Sequence, residues 1–131
     1  MPQYNPVAGK TSDTFTPDNL IVGDDLSSVE VLLTGAVAYA RGDLLILNAA
    51  TNVVTLAAAG TIGTATHIMP FTLAAADATA HAATGKQIAV YNEGEFAQDL
   101  VTLSGLALTA PQIVAAKAAL NTKQIVLRKV L

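Results

Sequence analysis

The stretch LLILNAATNVVTL, residues 44–56, contains two apolar runs separated by a short link. The first run, residues 44–47, is continuously apolar, which is typical of a strand buried on both faces. The second run, residues 53–56, is rich in β-branched side chains, which favour strands. Two such runs joined by the short segment 48–52 predict a β-hairpin. We therefore expect a chain built mainly from β-structure.

Strand-like patterns extend from this hairpin in both directions. Upstream, SVEVLLTGAVAY at residues 28–39 begins with the alternation of apolar and polar side chains that indicates a half-buried strand. Downstream, THIMPFTL at residues 66–73 predicts a strand that Pro70 confines to an edge or a bulge. The remaining predicted strands are QIAVY at 87–91 and QIVLRKVL at 124–131, with a turn at NEGEF, 92–96. DLVTLSGLAL at 99–108 is predicted as a strand or an extended segment.

The clearest helix pattern is TAPQIVAAKAAL, residues 109–120. Thr109 is placed as the N-cap with Gln112 three residues later, which is a capping-box pattern. Pro111 falls in the first turn, where its missing N–H is tolerated, and Asn121 is a plausible stop. The helical spacing puts three apolar residues on one face: Ile113, Ala116 and Leu120.

The connecting segments are less informative. GTIG at residues 60–63 predicts a turn. AAADATAHAATGK at residues 74–86 is interpreted as a surface excursion, because its alanines permit a helix but no apolar stripe requires one. The predicted fold class is therefore mainly β (α+β). We expect a small β-rich, barrel-like or sandwich domain with one short helix in its C-terminal half and an extended N-terminal arm.

Residues 1–19 differ from the rest of the chain, which divides it into an arm, 1–19, and a β-rich domain, 20–131. The arm combines three prolines with Asn, Thr, Ser and Asp and shows no periodicity, so it reads as an extended or disordered segment. Tyr4, Val7 and Phe15 are spaced along it. A disordered leader and an arm that anchors these side chains on a partner both remain open at this point.

Composition limits the partners of the chain. Of its 131 residues, 13% are charged, about half the usual ~25%, and 52% are hydrophobic, which indicates apolar burial in a core and against partners. The net charge is −3 and the basic residues are sparse, so we expect no nucleic-acid partner. No acid follows Asp99, whereas four cations do; this segregation either orients neighbouring copies or is scatter among a small number of charges. These cations are Lys117, Lys123, Arg128 and Lys129.

The sequence carries no signal for export or for insertion into a membrane. There is no cysteine, and therefore neither a disulfide nor a thiolate zinc site is expected. The first residues show no secretory-signal pattern, and no run approaches the ~20 apolar residues of a membrane span. We expect a protein made in a reducing cytosol, with no membrane partner.

A search for catalytic or ligand-binding residues yields only weak candidates. Glu93 and Glu95 would share a face if extended, but the neighbouring glycine indicates solvated acids at a turn. His67, predicted in a strand, and His81, predicted in a loop, lack metal-ligand spacing. We expect no catalytic residue, no metal and no cofactor.

Two short motifs also have plain structural explanations. GKTS at residues 9–12 lies in the proline-rich arm without a preceding strand, so a phosphate-binding loop is discounted. RGD at residues 41–43 matches an integrin-recognition tripeptide, but it also suits a tight turn into a strand, which is the interpretation we favour.

The order of elements resembles the bacteriophage head decoration protein family, the group that includes the lambda-type capsid-stabilising protein. In IAVYNEGEFAQDL, residues 88–100, a strand ends in an aromatic and a Gly-Glu-Phe segment follows; the capped helix and a terminal strand come later. VLLTGAVAYARGDLLILNAATNVVTLA, residues 31–57, resembles the opening hairpin of the family. The likeness spans roughly residues 15–131.

The resemblance implies a homotrimer on the outer capsid surface of the virion, at the three-fold positions of the expanded head. There it would bind the major capsid protein and stabilise the shell without catalysis. In the family the N-terminal arm orders on the capsid, a role that would fall here to residues 3–15. The arm residues that the resemblance marks as capsid-binding are Tyr4, Asn5, Pro6, Val7 and Phe15.

A second class of function remains open from the sequence. The RGD turn and the threonine-rich loops would also suit a small β-barrel module that binds a glycan or a peptide on a phage or cell surface. An enzyme that uses Glu93 and Glu95 is a third, weaker hypothesis.

Overall fold

The computed structural model describes residues 20–23 and 26–129, which contain eight strands, two α-helices and one 3-10 helix. The predicted arm, residues 1–19, with its five capsid-binding candidates, lies outside the described residues. The elements are β1 Ser27–Leu33, β2 Leu44–Asn48, β3 Val53–Leu56, the 3-10 helix Ala59–Thr64, β4 His67–Ile68, α1 Ala75–Thr84, β5 Ile88–Ala97, β6 Thr102–Leu103, β7 Leu106–Ala107, α2 Ala110–Asn121 and β8 Ile125–Arg128.

Five of the strands pair in a closed circuit. β1 is parallel to β3 and antiparallel to β5, and the antiparallel pairs β3–β2, β2–β4 and β4–β5 complete the ring. Such a circuit is the connectivity that a barrel-like domain requires, and it leaves the paired strands without an open edge. β8 adds to the second half of β5 as a parallel sixth strand. The mainly β (α+β) prediction is confirmed.

The predicted β2–β3 hairpin is present. Its register pairs Asn48 with Val53 at the closed end. Leu44 and Leu45 are consecutive and both fully buried, because the two faces of β2 contact different apolar clusters. We name these the β1 cluster, which includes Val31, Leu33, Tyr39, Leu45, Val54, Met69, Ala78, Ile88 and Val90, and the α2 cluster, which includes Leu44, Ile62, Ile68, Phe96, Val101, Ala116, Leu120, Ile125 and Leu127.

Helix α2 begins and ends where the sequence predicts. The Thr109 hydroxyl accepts a 3.4 Å hydrogen bond from the Gln112 amide, and the Gln112 side-chain oxygen accepts one of 2.9 Å from the Thr109 amide. This reciprocal cap satisfies donors that a helix start leaves unpaired. Ala116 and Leu120 are buried in the α2 cluster, and the helix ends at Asn121.

The predicted turn at residues 92–96 is wrong, because β5 runs unbroken through this segment. Gly94 has φ +145 and lies within the strand, where a Cβ atom would approach Leu26 Cδ1 to 3.0 Å. The strand changes partners there: Tyr91 pairs across to Ser28, whereas Gly94 pairs with Ile125. Gly94 therefore lies where β5 stops pairing with β1 and begins to pair with β8.

The segment interpreted as a surface excursion forms a second helix, α1, so the chain has one α-helix more than predicted. The helix rests on a close approach: a Cβ atom on Gly35 would lie 3.3 Å from the Thr79 Cα. The Thr79 hydroxyl accepts a 2.8 Å bond from the Ala36 amide, and Ala78 is fully buried. Small side chains let α1 pack closely against residues 35–36, so the helix does not require an apolar stripe.

Two shorter predictions also differ from the structure. The GTIG turn is part of the 3-10 helix, and the strand predicted at 66–73 is limited to β4 and stops before Pro70, whose nitrogen cannot donate to a ladder. The predicted extended run at 99–108 becomes the β6–β7 hairpin. Within the described part of the chain, no helix is long and apolar enough to cross a membrane.

Candidate interaction surface

One of the two glutamates of β5 forms a partly exposed ion pair. Glu95 Oε1 is 2.6 Å from Arg128 Nη1, and the two side chains are 37% and 60% exposed. Glu93 is half-buried on the same strand. Arg128 is 33 residues away in the chain, so the ion pair is invisible to local sequence reading. The partly solvated pair resembles a surface salt bridge more than an acid–base pair in a pocket.

The two histidines lie on different elements. His67 is buried in β4, as predicted for a strand, and its Nδ1 is 2.7 Å from the Thr66 hydroxyl. Burial and, secondarily, the positive charge of Lys123 lower the pKa of His67. His81 lies in the last turn of α1, so its loop assignment is wrong. Across residues 20–23 and 26–129, no cluster of His, Cys, Asp and Glu could hold a metal ion.

The RGD segment forms the predicted turn, and its aspartate is fully buried. The Asp43 carboxylate accepts 2.8 Å hydrogen bonds from the amides of Ala40 and Gly105, and a short one from the Thr102 hydroxyl. A buried carboxylate with three donors cannot be presented to a receptor. The structure therefore assigns Asp43 to holding the turn.

The Arg41–Gly42 turn is packed tightly against two other segments. Gly42 has φ +95, and a Cβ atom there would lie only 2.6 Å from the Leu100 carbonyl oxygen. Arg41 Nη1 donates to the Pro70 carbonyl. The Gly42 amide donates to the Met69 carbonyl at 2.8 Å, and its carbonyl accepts from Thr102. Hydrogen bonds therefore hold the turn to residues 69–70 on one side and to Thr102 on the other.

Three large apolar residues in the segments that contact this turn are exposed: Phe71 by 38%, Leu100 by 44% and Leu106 by 73%. Each lies in, or directly beside, a segment that contacts the turn, through Pro70, the Leu100 carbonyl and Gly105 respectively. We name Phe71, Leu100 and Leu106 the RG-turn patch. Leu106 follows a two-residue turn, Ser104–Gly105, in which both φ angles are positive, as in tight hairpins.

A groove lies between α2 and the last strand. It has a volume of about 340 Å³ and is bounded by residues of both elements. We name it the α2–β8 groove. Its lining residues are Lys117, Ala118 and Asn121 from α2, and Ile125, Val126 and Leu127 from β8.

A second groove, larger in volume at about 590 Å³, lies between α2 and residues 63–66 at the end of the 3-10 helix. It shares Ala118 with the α2–β8 groove. Alanines and threonines form most of its lining, with Lys123 at one end. Small side chains of this kind allow another backbone to approach closely, but they do not select a ligand.

The sequence search missed the RG-turn patch and the role of Asp43. A usable signal was present at Ser104–Gly105, a glycine-containing pair between Leu103 and Leu106, which is typical of a hairpin. The predicted arm candidates are outside the described residues. The described chain begins at Leu20, whose carbonyl accepts a 2.7 Å hydrogen bond from the Ala97 amide of β5.

Comparison of the chain with protein-family models and with curated proteins finds no match. The functional conclusions below therefore depend on the surface, the fold and the resemblance of the element order.

Proposed function

We propose that this chain is a non-enzymatic decoration protein of a bacteriophage head. It binds as a homotrimer to the outside of the expanded capsid at three-fold positions and stabilises the shell. The observation that carries the proposal is the RG-turn patch, in which a β-rich domain exposes three large apolar side chains on segments that contact one hydrogen-bonded turn. The resemblance of the element order supplies the partner, the major capsid protein.

The patch has the properties of a protein contact. Single exposed apolar residues are normal on a protein surface, but several grouped ones mark an interaction site. The turn beneath them is already ordered by the hydrogen bonds of Asp43 and Gly42. Binding through such a surface loses little conformational entropy, so more of the contact energy appears as affinity.

The arm supplies a second contact. Under this proposal residues 1–19 add a strand to a capsid sheet, with Tyr4, Val7 and Phe15 as anchors. Ordering one arm loses conformational entropy, so a single arm binds weakly. Three arms on one trimer raise each other's effective concentration, and the gain in avidity is roughly 10²–10⁴.

The direct test mixes the purified protein with expanded and with unexpanded heads and counts the bound copies. We expect binding to expanded heads in multiples of three, and protection of those heads against heat and chelator. A chain that lacks residues 1–16 should still form a trimer but should no longer protect. A solitary monomer, or equal binding to both kinds of head, would contradict the proposal.

A substitution tests the patch itself. Leu106→Asp should weaken either trimer formation or head binding about fivefold or more, because loss of an important interface side chain typically costs over ~1 kcal/mol. Val114→Asp is the matched control, since Val114 is also highly exposed but lies on α2, outside the patch. Sedimentation gives the mass of the assembly, and pelleting with heads gives the bound fraction. Equal behaviour of the two variants would exclude the patch.

The alternative function, a small module that binds a glycan or a peptide on a phage or cell surface, is favoured by one observation. The α2–β8 groove, about 340 Å³ in volume, combines apolar side chains of β8 with Lys117 and Asn121 of α2. Binding to a glycan array, or co-purification with the host surface instead of capsids, would select this alternative.

A further inference from the structure

The groove between α2 and residues 63–66 has no occupant among the described residues, and we name it the α2–3-10 groove. We propose that it accepts helix α1 of a second copy of this chain, so that copies associate head to tail. The contact depends on the shapes and charges of two surfaces of the domain. Its identity as the subunit contact of a homotrimer on a phage head rests on the proposed function.

The groove side of α2 lacks the charged residues that a solvent-facing helix surface usually carries. Among the twelve residues Ala110–Asn121 the only charged side chain is Lys117. Ala118 is exposed and lines the groove together with the half-buried Ala115 and Ala119. A surface helix normally opposes a polar face to its apolar one, and a helix that is apolar all round is normally covered on every side. The groove side of α2 therefore has the composition of a covered surface.

The charge of the groove favours an acidic occupant. Residues 63–66 and 115–123, which contain its lining, include two lysines and no acid. One of these, Lys123, lines the groove, is exposed and forms no ion pair with any residue in the described ranges. Complementary charge across a contact fixes its register and disfavours basic partners. An occupant with one acid opposite Lys123 would meet this requirement.

Helix α1 carries a surface that fits the groove in size and in charge. Its side toward the domain contains the buried Ala78, whereas Ala76, Ala80 and Ala83 form an exposed row at helical spacing on the other side. Asp77 lies beside Ala80 on the helix surface, is exposed and forms no ion pair within the described part of the chain. Small side chains on both helices allow their axes to approach closely.

The charges also decide how two copies pair. Two α2–3-10 grooves placed face to face would oppose Lys123 to Lys123, and two α1 helices would oppose Asp77 to Asp77, which like-charge repulsion disfavours. Helix α1 in the groove opposes Asp77 to Lys123 instead. Within one copy α1 is held against residues 35–36, so the entering helix belongs to another copy. Such a contact is heterologous, and it closes into a ring when the rotation between copies permits.

The charge test reverses the two side chains singly and together. Asp77→Lys and Lys123→Asp should each raise the dissociation constant of self-association about tenfold or more, because each variant places like charges opposite each other. The double variant Asp77→Lys/Lys123→Asp should recover association, since the attraction is exchanged and not removed. Sedimentation equilibrium over a concentration series measures the three constants. Single variants without effect, or a double variant that does not recover, overturn the contact.

The control for Asp77→Lys is Glu30→Lys, which changes the net charge by the same amount. Glu30 is exposed on β1 and forms no ion pair with a described residue. We expect its dissociation constant to equal that of the unmodified chain. A loss as large as that of Asp77→Lys would show that net charge alone controls association, and this would also overturn the contact.

A steric test uses the middle of the exposed row on α1. Ala80→Arg should preserve the helix, because arginine is a good helix former, and the domain should unfold at an unchanged temperature. The long cation should weaken association about tenfold or more, since it enlarges the helix surface and repels Lys123. Ala49→Arg, at an exposed alanine between β2 and β3, is the control. Equal association of the two variants would contradict the docking of α1.

Head binding separates this inference from the proposed function. If association responds to the charge variants as expected but the unmodified chain binds no heads, the decoration function is wrong and the helix contact stands. If every charge variant forms trimers and decorates expanded heads equally, the decoration function stands and the helix contact is wrong. A chain that stays monomeric at every concentration in solution overturns the contact.

Discussion

The amide of Gly105 donates a 2.8 Å hydrogen bond to the carboxylate of Asp43, 62 residues earlier in the chain. The same carboxylate accepts hydrogen bonds from the Ala40 amide and the Thr102 hydroxyl. One buried side chain thereby joins the turn before β2 to the β6–β7 hairpin. The positions of Leu100 and Leu106 relative to that turn depend on this junction.

Replacing Asp43 by alanine should strongly destabilise the domain. The substitution leaves three donors without their acceptor, and each buried unsatisfied group costs about 1–3 kcal/mol, so we expect a loss of about 3 kcal/mol or more. Denaturant unfolding measures the change. Asp99→Ala is the control, since Asp99 is exposed and its 3.9 Å ion pair should contribute less than ~1 kcal/mol. Similar losses in both variants would show that Asp43 is not a junction.

Gly94→Ala should destabilise the domain, whereas Gly60→Ala should not. At Gly94 a Cβ atom would lie 3.0 Å from Leu26 and 3.1 Å from the Phe96 ring, with φ at +145. We expect a loss of about 1–3 kcal/mol from this combination of strain and overpacking. A Cβ atom on Gly60 would meet nothing within 4 Å, so the change in stability there should be near zero. Thermal unfolding of both variants provides the comparison, and equal midpoints would disprove the close approach.

The stability of the domain should decrease in mild acid because of His67. Burial and then Lys123 lower its pKa from the ordinary 6.5, so the unfolded chain takes up a proton before the folded one does. The contribution is fully present above pH 6.5 and is lost as the pH falls from there toward the folded pKa. Urea unfolding between about pH 5 and about pH 7.5 measures this slope.

Two variants assign that slope. His67→Gln should reduce it, since glutamine does not titrate, and Lys123→Gln should reduce it less, because the lysine charge is the smaller of the two causes. If the slope of His67→Gln equals that of the unmodified chain, the acid sensitivity arises elsewhere.

The Glu95–Arg128 ion pair should contribute little to stability. Both groups are more than one-third exposed, so Glu95→Gln should lower the free energy of unfolding by less than ~1 kcal/mol, with a smaller effect in concentrated salt. The double variant Glu93→Gln/Glu95→Gln should also keep its binding to expanded heads. A complete loss of function with an intact fold would revive the enzyme hypothesis.

Local sequence reading succeeds where a structure depends on neighbours in the chain. The β2–β3 hairpin follows from two apolar runs and a short link, and the start of α2 follows from Thr109 and Gln112. The same reading fails at Gly94, because a glycine within a strand looks like a glycine in a turn until the strand partners are known. It fails at α1 because the helix is seated by Ala78 and Gly35, which carry no periodic signal.

The β-rich class, the paired apolar runs, the capped helix and the excess of cations after Asp99 are properties of the chain order, and they can be read without coordinates. The RG-turn patch and the α2–β8 groove are different. They depend on a carboxylate that meets donors 59 and 62 residues away, and on how α2 packs beside β8. Long-range hydrogen bonding and strand order emerge only when the whole chain packs, and it is these that create the surfaces available to partners.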